Sequence, residues 1–459
     1  MRTNINRATG VYSLAFLLLL CTMVVGGIVA MSGSASASLQ GTRVARNTVK
    51  ADVAATQGEA RSVRTAKRLQ KRIGNRFGFV PDLGVLRDAV TQQRMLLSSS
   101  VTTHFVTDDG SAVPAFVATI ERYPVWMEIE VTPAGMLTTI NPSLLAVELS
   151  IHLPDGVRLP ADATLHSTSV DKKVGRAETD GIAKSGYDFD PVRVSASLSD
   201  ALVTGSASLL IPLHTVAGKI HNATGNNLGD LVLLSTGRSN FEGSGYGRKA
   251  NVHKGLTEYL HNTVVDPGKP FSINSALSRA SFSEWEMGLG IFDGGILRPV
   301  AGGGLCQVAT TLYRAALLAG FPILKRANHS LFVHYYEKHG IGIDATIYIG
   351  KQDLTFMNNT AGSLLIQAYV EGDEATVNVY GTPDGRVTTL DGPYFSKNAP
   401  PAIQVNGRDL KSNEIVWQQK IVYADGRIEE NPVISRYKSI PRSVVDNFLH
   451  AAAQKGAGI

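Results

Sequence analysis

The sequence of 459 residues is poor in cysteine and in charge. Only Cys21 and Cys306 occur, and charged residues make up 18% of the chain. A domain held together by several disulfides is excluded, because two cysteines form at most one bridge. Hydrophobic residues make up 44%, which is typical of folded rather than disordered chains. The length leaves room for several domains, each with its own core.

Signals for nucleotide, nucleic-acid and metal binding are also missing. The net charge of +5 is small for this length and suits an anionic cell envelope without indicating a nucleic acid. Residues 243–248 are rich in glycine but lack the Gly-Lys-Ser/Thr ending of a P-loop. An alternative set of metal ligands consists of His329, His334, His339 and Asp344. The spacing of the first two histidines is an odd number of residues, which places them on opposite faces of a strand. We therefore predict no metal, no other cofactor and no nucleic-acid partner.

One long apolar run stands near the N-terminus. Residues 11–31 carry no charge and are long enough to cross the ~30 Å hydrocarbon layer as a helix. Arg2 and Arg7 precede the run, which places the N-terminus in the cytoplasm and the bulk of the chain outside the cell. The small residues 34–38 leave cleavage by signal peptidase open, but the length of the run favours an uncleaved single-pass anchor.

This location makes the cysteine count informative. Cys21 lies in the apolar run, so the exported part contains a single thiol, Cys306. A lone thiol outside the cell is prone to oxidation unless it is buried and inert or kept for its reactivity.

Composition and periodicity divide the chain into five segments and predict an α+β fold class. Residues 1–31 are the cytoplasmic start and anchor, 32–100 a linker and basic helical stalk, 101–230 a β-rich or α+β module, 231–382 the domain with Cys306, and 383–459 a small β tail. The basic stretch 46–76 predicts either a helix that touches anionic lipid or wall polymer, or a solvated stalk, the more usual role of a charge run.

The predicted elements follow from the spacing of apolar residues. Helices are predicted at 250–264 and 307–319, and strands at 125–131, 144–149, 192–196, 231–235, 329–336, 344–350, 364–370, 375–380, 415–421 and 427–437.

Cys306 is predicted at the start of a helix. Three glycines at 302–304 precede it and allow a close backbone approach, and Gly320 is placed to end the helix. Helix N-terminal N–H groups favour a thiolate, and the same groups together with the Gln307 side chain would stabilise an oxyanion.

His329 and Asp344 are the predicted partners of the thiol. In the predicted strands they follow the helix in the order Cys, His, Asp, the general order of papain-like, transglutaminase-like and NlpC-type cysteine enzymes. Asn328 is an alternative residue to orient the base. A cysteine before a helix is also commonly a small packing residue, so both a catalytic and a structural role stay open.

Several motifs resemble the VanW family, named after an accessory protein of vancomycin-resistance clusters. They are FEGS at 241–244, PGKPFSIN at 267–274, GGGLCQV at 302–308, TLY at 311–313, NHS at 328–330, DAT at 344–346 and DLTFMNNT at 353–360. The resemblance implies a bacterial surface protein with a peptidoglycan-binding module before the VanW-like domain, here within 101–230. It implies no established reaction.

Two functions follow as hypotheses. The first is a cysteine-dependent hydrolase or acyltransferase acting on peptidoglycan peptides through Cys306, His329, Asp344 and Gln307. The second is a non-catalytic wall-binding or scaffolding protein. Both predict peptidoglycan or another wall polymer as a partner, and the membrane as a partner of the N-terminal helix.

Overall fold

The computed structural model describes residues 43–292 and 296–456. The predicted membrane anchor at 11–31 lies outside these residues. Among the helices that are described, none combines the length and the apolar composition needed to cross a membrane. The chain forms two compact units. One contains the described residues up to Leu159 together with Gly186–Val216, and the other contains Pro160–Ser185 and the residues from Ala217 onward.

Both units contain helices and strands. The helices are α1 Arg43–Phe77, α2 Leu83–Leu97, α3 Pro142–Ile151, α4 Pro191–Thr204, α5 Tyr246–Lys254, α6 Ile273–Leu277, α7 Leu305–Leu318 and α8 Arg442–Gly456. The strands are β1 Ser100–Thr107, β2 Phe116–Thr119, β3 Met127–Thr132, β4 Gly135–Ile140, β5 Ala163–Asp171, β6 Val174–Thr179, β7 Gly186–Tyr187, β8 Ser208–Leu213, β9 Thr215–Val216, β10 Ile220–Asn222, β11 Val232–Asn240, β12 Thr263–Val265, β13 Pro270–Ser272, β14 Met287–Phe292, β15 Ile296–Ala301, β16 Ile323–Lys325, β17 Thr355–Met357, β18 Leu364–Glu371, β19 Glu374–Gly381, β20 Val387–Tyr394, β21 Glu414–Val422 and β22 Ile428–Arg436. The mixture agrees with the predicted α+β class.

The basic stretch 46–76 lies in α1, which forms a helical hairpin with α2. Apolar residues on one side of α1, such as Leu69 and Ile73, pack in one cluster with Leu86 and Val90 of α2. The Asp82 side chain accepts a hydrogen bond from the Val85 N–H and caps the start of α2. The predicted stalk is therefore one arm of a packed hairpin.

Two strand predictions in the first unit were wrong. Residues 144–149 lie in α3 and residues 192–196 lie in α4. Each helix begins with a capping side chain and a proline, Asn141 before Pro142 and Asp190 before Pro191. This pairing starts a helix because the cap accepts orphan N–H groups and proline has none to satisfy. The helix-start signal outweighed the apparent alternation.

The core of the second unit is a seven-stranded sheet in the order β10-β5-β6-β12-β18-β19-β11. Residues 160–185, placed in the preceding module by the sequence prediction, supply β5 and β6 of this sheet. Helix α7 lies directly on β11. A Cβ atom built on Gly237 of β11 would lie 2.1 Å from the Thr311 carbonyl oxygen and 2.5 Å from the Ala315 nitrogen. The missing side chain lets the helix backbone approach the sheet.

Residues 329–336 and 344–350, predicted as strands, form irregular segments and a 3₁₀ turn, His334–His339. The buried Arg314 of α7 explains the difference. Its guanidinium donates to the backbone oxygens of Arg238, Tyr336, Gly340 and Ile343 at 2.7–2.9 Å. Backbone groups that a strand would satisfy by pairing are here satisfied by one side chain.

The predicted helix at 250–264 is also interrupted. Helix α5 ends at Lys254 and continues as one π-helical turn, Gly255–Leu260, before β12. The predicted tail contains the sheet β20-β21-β22 and, in addition, α8. The small sheets β13-β17-β16 and β14-β15 complete the second unit.

We expect Gly237→Ala to lower the free energy of unfolding by about 1–3 kcal/mol, because the added methyl group forces α7 away from β11. Gly181→Ala is the control, since no atom lies within 4 Å of a Cβ built there. Urea unfolding curves of both variants measure the effect. Equal midpoints for the two variants would contradict the close packing of α7 on β11.

Candidate active site

The helix start that carries Cys306 is fixed by glycines. A Cβ atom on Gly303 would lie 2.2 Å from the backbone of Gly288, so β14 crosses the glycine segment in direct backbone contact. Gly304 is the N-cap of α7 with φ of 110°, a conformation that side chains rarely adopt. Cys306 follows in the first turn of α7, and it is partly exposed.

The sulfur of Cys306 lies against the segment that follows Asp344. The Ile347 N–H donates to Sγ at 3.4 Å, and the Thr346 hydroxyl lies 3.5 Å from it. The sulfur also packs against the core cluster under α7. The thiol therefore lies at the edge of the core, with a polar side and an apolar side.

His329 and Asp344 form a buried pair. The imidazole Nδ1 lies 2.5 Å from Asp344 Oδ2, and the His329 backbone N–H donates to the same oxygen at 2.9 Å. His329 is 6% exposed and Asp344 1%. Because the carboxylate occupies Nδ1, Nε2 is the nitrogen left to interact with Cys306. Asp344 contacts His329 directly, and His329 interacts electrostatically with Cys306, although no strand carries His329 or Asp344.

Two further residues contact Asp344 and were missed by the sequence prediction. The Tyr437 hydroxyl, beyond β22, donates to Oδ1 at 2.6 Å. The Arg326 guanidinium lies 3.5 Å from Oδ1, and its Nε donates to the Asp344 carbonyl at 2.8 Å. Tyr437 lies 93 residues from Asp344 in the sequence, so no local pattern indicated this contact.

The surroundings shift the pKa values of the three central groups. Burial raises the pKa of the Cys306 thiol, but hydrogen bonding to His329, the His329 charge and the contacts with Ile347 and Thr346 lower it more, from 9.0 to about 7. Burial lowers the pKa of His329, but Tyr336, Asp344 and Cys306 raise it well above 6.5. At neutral pH a thiolate–imidazolium pair is therefore well populated.

The pKa of Asp344 is shifted in the direction that this pair requires. Burial raises it, whereas the hydrogen bond and charge of His329, the Arg326 charge and the Tyr437 hydroxyl bring it below its ordinary value of 3.8. The carboxylate is thus ionised at neutral pH and favours the protonated imidazole.

Gln307 and Asn328 do not have the geometry expected of them. The fully buried Gln307 side chain donates to Ser239 Oγ at 2.6 Å and to the Asn240 carbonyl at 3.0 Å. Its amide nitrogen is thus not free to bind an oxyanion. The Asn328 amide binds the backbone of Arg436, at 2.6 Å to its oxygen, so Asp344 rather than Asn328 holds the imidazole.

The alternative metal set does not converge on one point. His334 is paired with Glu337, and His339 Nε2 lies 2.7 Å from Glu374, whereas His329 is paired with Asp344. Across residues 43–292 and 296–456, no group of three His, Cys, Asp or Glu side chains is placed to hold a metal ion.

Comparison with known proteins identifies the segment that contains Cys306. Residues 247–380 match the profile of a protein family described as VanW like protein. These residues are a VanW-like domain. The chain is also 30% identical to the "Uncharacterized protein YoaR" of Bacillus subtilis over 142 residues, 31% of this chain and 46% of that protein. The chain thus spans about half the length of this curated relative. No solved structure matches the chain.

The VanW resemblance predicted from the motifs is confirmed, and several of these motifs have structural contacts. The Asn358 side chain, which is fully buried, donates to the carbonyl oxygens of Val265 and Gly362. Asp353 accepts hydrogen bonds from Ser272 Oγ at 2.6 Å and from the Asn274 N–H of α6 at 3.0 Å. Some motif residues of the VanW-like domain therefore stabilise the fold and do not contact the candidate active site.

We expect His329→Ala to slow alkylation of Cys306 by iodoacetamide about fivefold at neutral pH. Without the imidazole, burial of the sulfur is no longer offset, the thiol pKa rises and the thiolate fraction falls, partly compensated by higher intrinsic nucleophilicity. Mass spectrometry of the peptide containing Cys306 measures the rate. The control is His253→Ala, which removes an exposed histidine of α5. An unchanged rate in the His329 variant would show that the imidazole does not activate the thiol.

Tyr437→Phe tests the distal end of the site. Loss of its hydroxyl raises the pKa of Asp344, lowers that of His329 and so raises that of the thiol. Alkylation of Cys306 at neutral pH should then slow about threefold, with its pH profile shifted upward. Tyr380→Phe removes a hydroxyl that donates to the Ala183 carbonyl and should leave the profile in place. Identical profiles in both variants would contradict the assignment of Tyr437.

Proposed function

We propose that this VanW-like protein of the cell envelope is a cysteine-dependent hydrolase or acyltransferase that acts on peptide amides of the wall. The observation that carries the proposal is the arrangement of a partly exposed Cys306 with a His329 that is held through Nδ1 by Asp344. Nucleophile, proton carrier and orienting group are the parts that acyl transfer through a thioester requires.

The reaction follows from the charge states of these groups. The thiolate of Cys306 attacks the amide carbonyl carbon, and a C–S bond forms as the tetrahedral intermediate appears. The intermediate collapses with cleavage of the C–N bond, and the His329 imidazolium gives its proton to the departing amine. Water or a second amine then attacks the thioester and loses a proton to the neutral imidazole, and the C–S bond breaks with release of the Cys306 thiolate. Asp344 holds the imidazole in one orientation throughout.

Location and substrate are parts of the same proposal. The uncharged run at 11–31 supports a membrane anchor with the VanW-like domain outside the cell. A single thiol in the exported region, next to a histidine, fits a group kept for reactivity. Peptidoglycan, or another wall polymer with peptide amides, is then the polymer within reach of the site.

The second candidate is a non-catalytic wall-binding protein with a structural Cys306. It is favoured by the contacts of the sulfur, which accepts the Ile347 N–H at 3.4 Å and packs on the core of the domain. A cysteine of this kind would stabilise the segment after Asp344 without any chemistry.

Incubation of the full chain with purified peptidoglycan separates the two candidates. We expect release or transfer of peptide amines, detected by labelling new amino groups and by mass spectrometry of the muropeptides. Cys306→Ala and Asp344→Asn should reduce the rate at least about a hundredfold, as loss of a nucleophile or of its orienting group does. Asp353→Asn is the matched control, because this carboxylate binds Ser272 and the Asn274 N–H at the start of α6 instead of His329. Turnover by a folded Cys306→Ala protein at the wild-type rate would refute the cysteine-dependent mechanism.

A further inference from the structure

The start of α7 carries two backbone N–H groups without an acceptor among the described residues. The Leu305 N–H donates to the Gly302 carbonyl at 3.1 Å, and the Gln307 N–H donates to the Gly304 carbonyl at 2.8 Å. The N–H groups of Gly304 and Cys306 have no such acceptor in the part of the chain that the structure describes. An N-cap side chain commonly accepts an N–H group of the first turn, but the N-cap of α7 is a glycine.

The conformation of Gly304 directs these two N–H groups toward one point. Gly304 is left-handed, with φ of 110° and ψ of −16°, and the residue after it is helical. A left-handed residue next to a right-handed one turns successive N–H groups into a concavity that binds anions. Gly304 and Cys306 are partly exposed, whereas Gly303, Leu305 and Gln307 are buried. The two free donors therefore belong to the residues of this segment that solvent reaches.

The reacting sulfur belongs to the same residue as one of the two donors. The Cα–Cβ bond of a helical residue is tilted toward the start of its helix, so the Cys306 side chain leads toward the turn that contains both N–H groups. A carbonyl carbon bonded to Sγ is separated from the Cys306 N–H only by the bonds of one cysteine. The carbonyl oxygen that gains charge in the attack is thus within reach of this N–H.

The direction of the Gly304 N–H is fixed by Asn251 of α5. The buried Asn251 side chain donates through Nδ2 to the carbonyl oxygens of Gly303 at 3.0 Å and Glu286 at 2.7 Å, and its Oδ1 accepts from the Glu286 N–H at 2.8 Å. The Gly303 C=O and the Gly304 N–H belong to one planar trans peptide group and point in opposite directions. Because Asn251 binds the oxygen, the N–H of the same peptide points away from Asn251.

We propose that the N–H groups of Gly304 and Cys306 bind the oxygen that becomes negative when Cys306 attacks a carbonyl, and that Asn251 is the positioning residue for the Gly304 N–H. The inference rests on the proposed function and deepens it. Donors aimed at a single developing oxyanion favour acyl compounds as substrates, which are amides, esters and thioesters. The two backbone groups take the role that the sequence predicted for the Gln307 side chain.

The test compares two reactions of the Cys306 thiolate in the full-length protein. With p-nitrophenyl acetate a C–S bond forms at a carbonyl carbon, an oxyanion appears, and the C–O bond to p-nitrophenolate breaks. With iodoacetamide a C–S bond forms at a saturated carbon as iodide leaves, without an oxyanion. Both rates are proportional to the thiolate fraction, so the ratio of the acylation rate to the alkylation rate measures oxyanion stabilisation. Release of p-nitrophenolate in the first turnover, corrected with Cys306→Ala, and mass spectrometry of the alkylated peptide give the two rates.

We expect this ratio to be at least about tenfold higher in the wild-type protein than in N-acetylcysteine, since one oxyanion donor contributes about a hundredfold or more. Asn251→Asp keeps the size of the side chain but replaces the amide donor to the Gly303 carbonyl with a carboxylate oxygen. The ratio should then fall at least about fivefold. Asn358→Asp is the matched control, because the fully buried Asn358 amide also donates to two carbonyls, those of Val265 and Gly362. This variant should keep the wild-type ratio.

The outcomes separate this inference from the proposed function. A wild-type ratio equal to that of N-acetylcysteine overturns the oxyanion donors, while release of peptide amines from peptidoglycan would still support the enzyme. A thiol that resists both reagents until the protein unfolds overturns the enzyme itself. Equal losses of both rates in a folded Asn251→Asp protein, with the ratio unchanged, overturn the positioning role of Asn251. Should Asn251→Asp not fold, Asn251→Ser removes the amide donor without burying a charge and is measured in the same way.

Discussion

The buried carboxylate of Asp344 is the constraint on which the candidate site depends. A carboxylate that is 1% exposed is costly unless its oxygens are matched by donors and positive charge. Asp344 obtains them from three parts of the chain: the imidazole and backbone N–H of His329, the hydroxyl of Tyr437 and the guanidinium of Arg326. The hydrogen bonds and the ion pair of this one carboxylate bring together the irregular segments, the residue after β16 and the residue after β22. The tail is thus part of the site.

The nucleophile is placed by different forces from those that place its partners. Helix α7 is positioned by apolar packing on the sheet and by backbone contacts that only glycine allows, at Gly237 and at Gly303. The segment that carries Tyr336 and Asp344 is held by the buried guanidinium of Arg314. Cys306 lies where these two rigid parts meet, and its sulfur accepts a hydrogen bond from one of them. Such preorganisation favours chemistry that depends on orientation.

Local signals in the sequence were sufficient for the helix of Cys306 and for the order of its partners. A glycine segment, a 3.6-residue period and Gly320 as a stop predicted α7 to within two residues at its start, because each of these features acts within the helix itself. The segments around His329 and Asp344 resembled strands because their residues alternate. They are irregular because Arg314 and Arg326, 29 and 18 residues away in the sequence, bind the carbonyl oxygens of Ile343 and Asp344. Contacts between residues this far apart in the sequence produce no periodic pattern of apolar residues. The same holds for Tyr437, which lies 93 residues from Asp344.

The central claim is that Asp344 and His329 keep Cys306 as a thiolate near neutrality. The ultraviolet absorbance that distinguishes thiolate from thiol, recorded against pH as a difference between the wild-type protein and Cys306→Ser, measures this directly. The account predicts a transition with its midpoint near pH 7, the pKa of the thiol. A midpoint at or above the ordinary thiol value of 9.0, or no transition before unfolding, would contradict it.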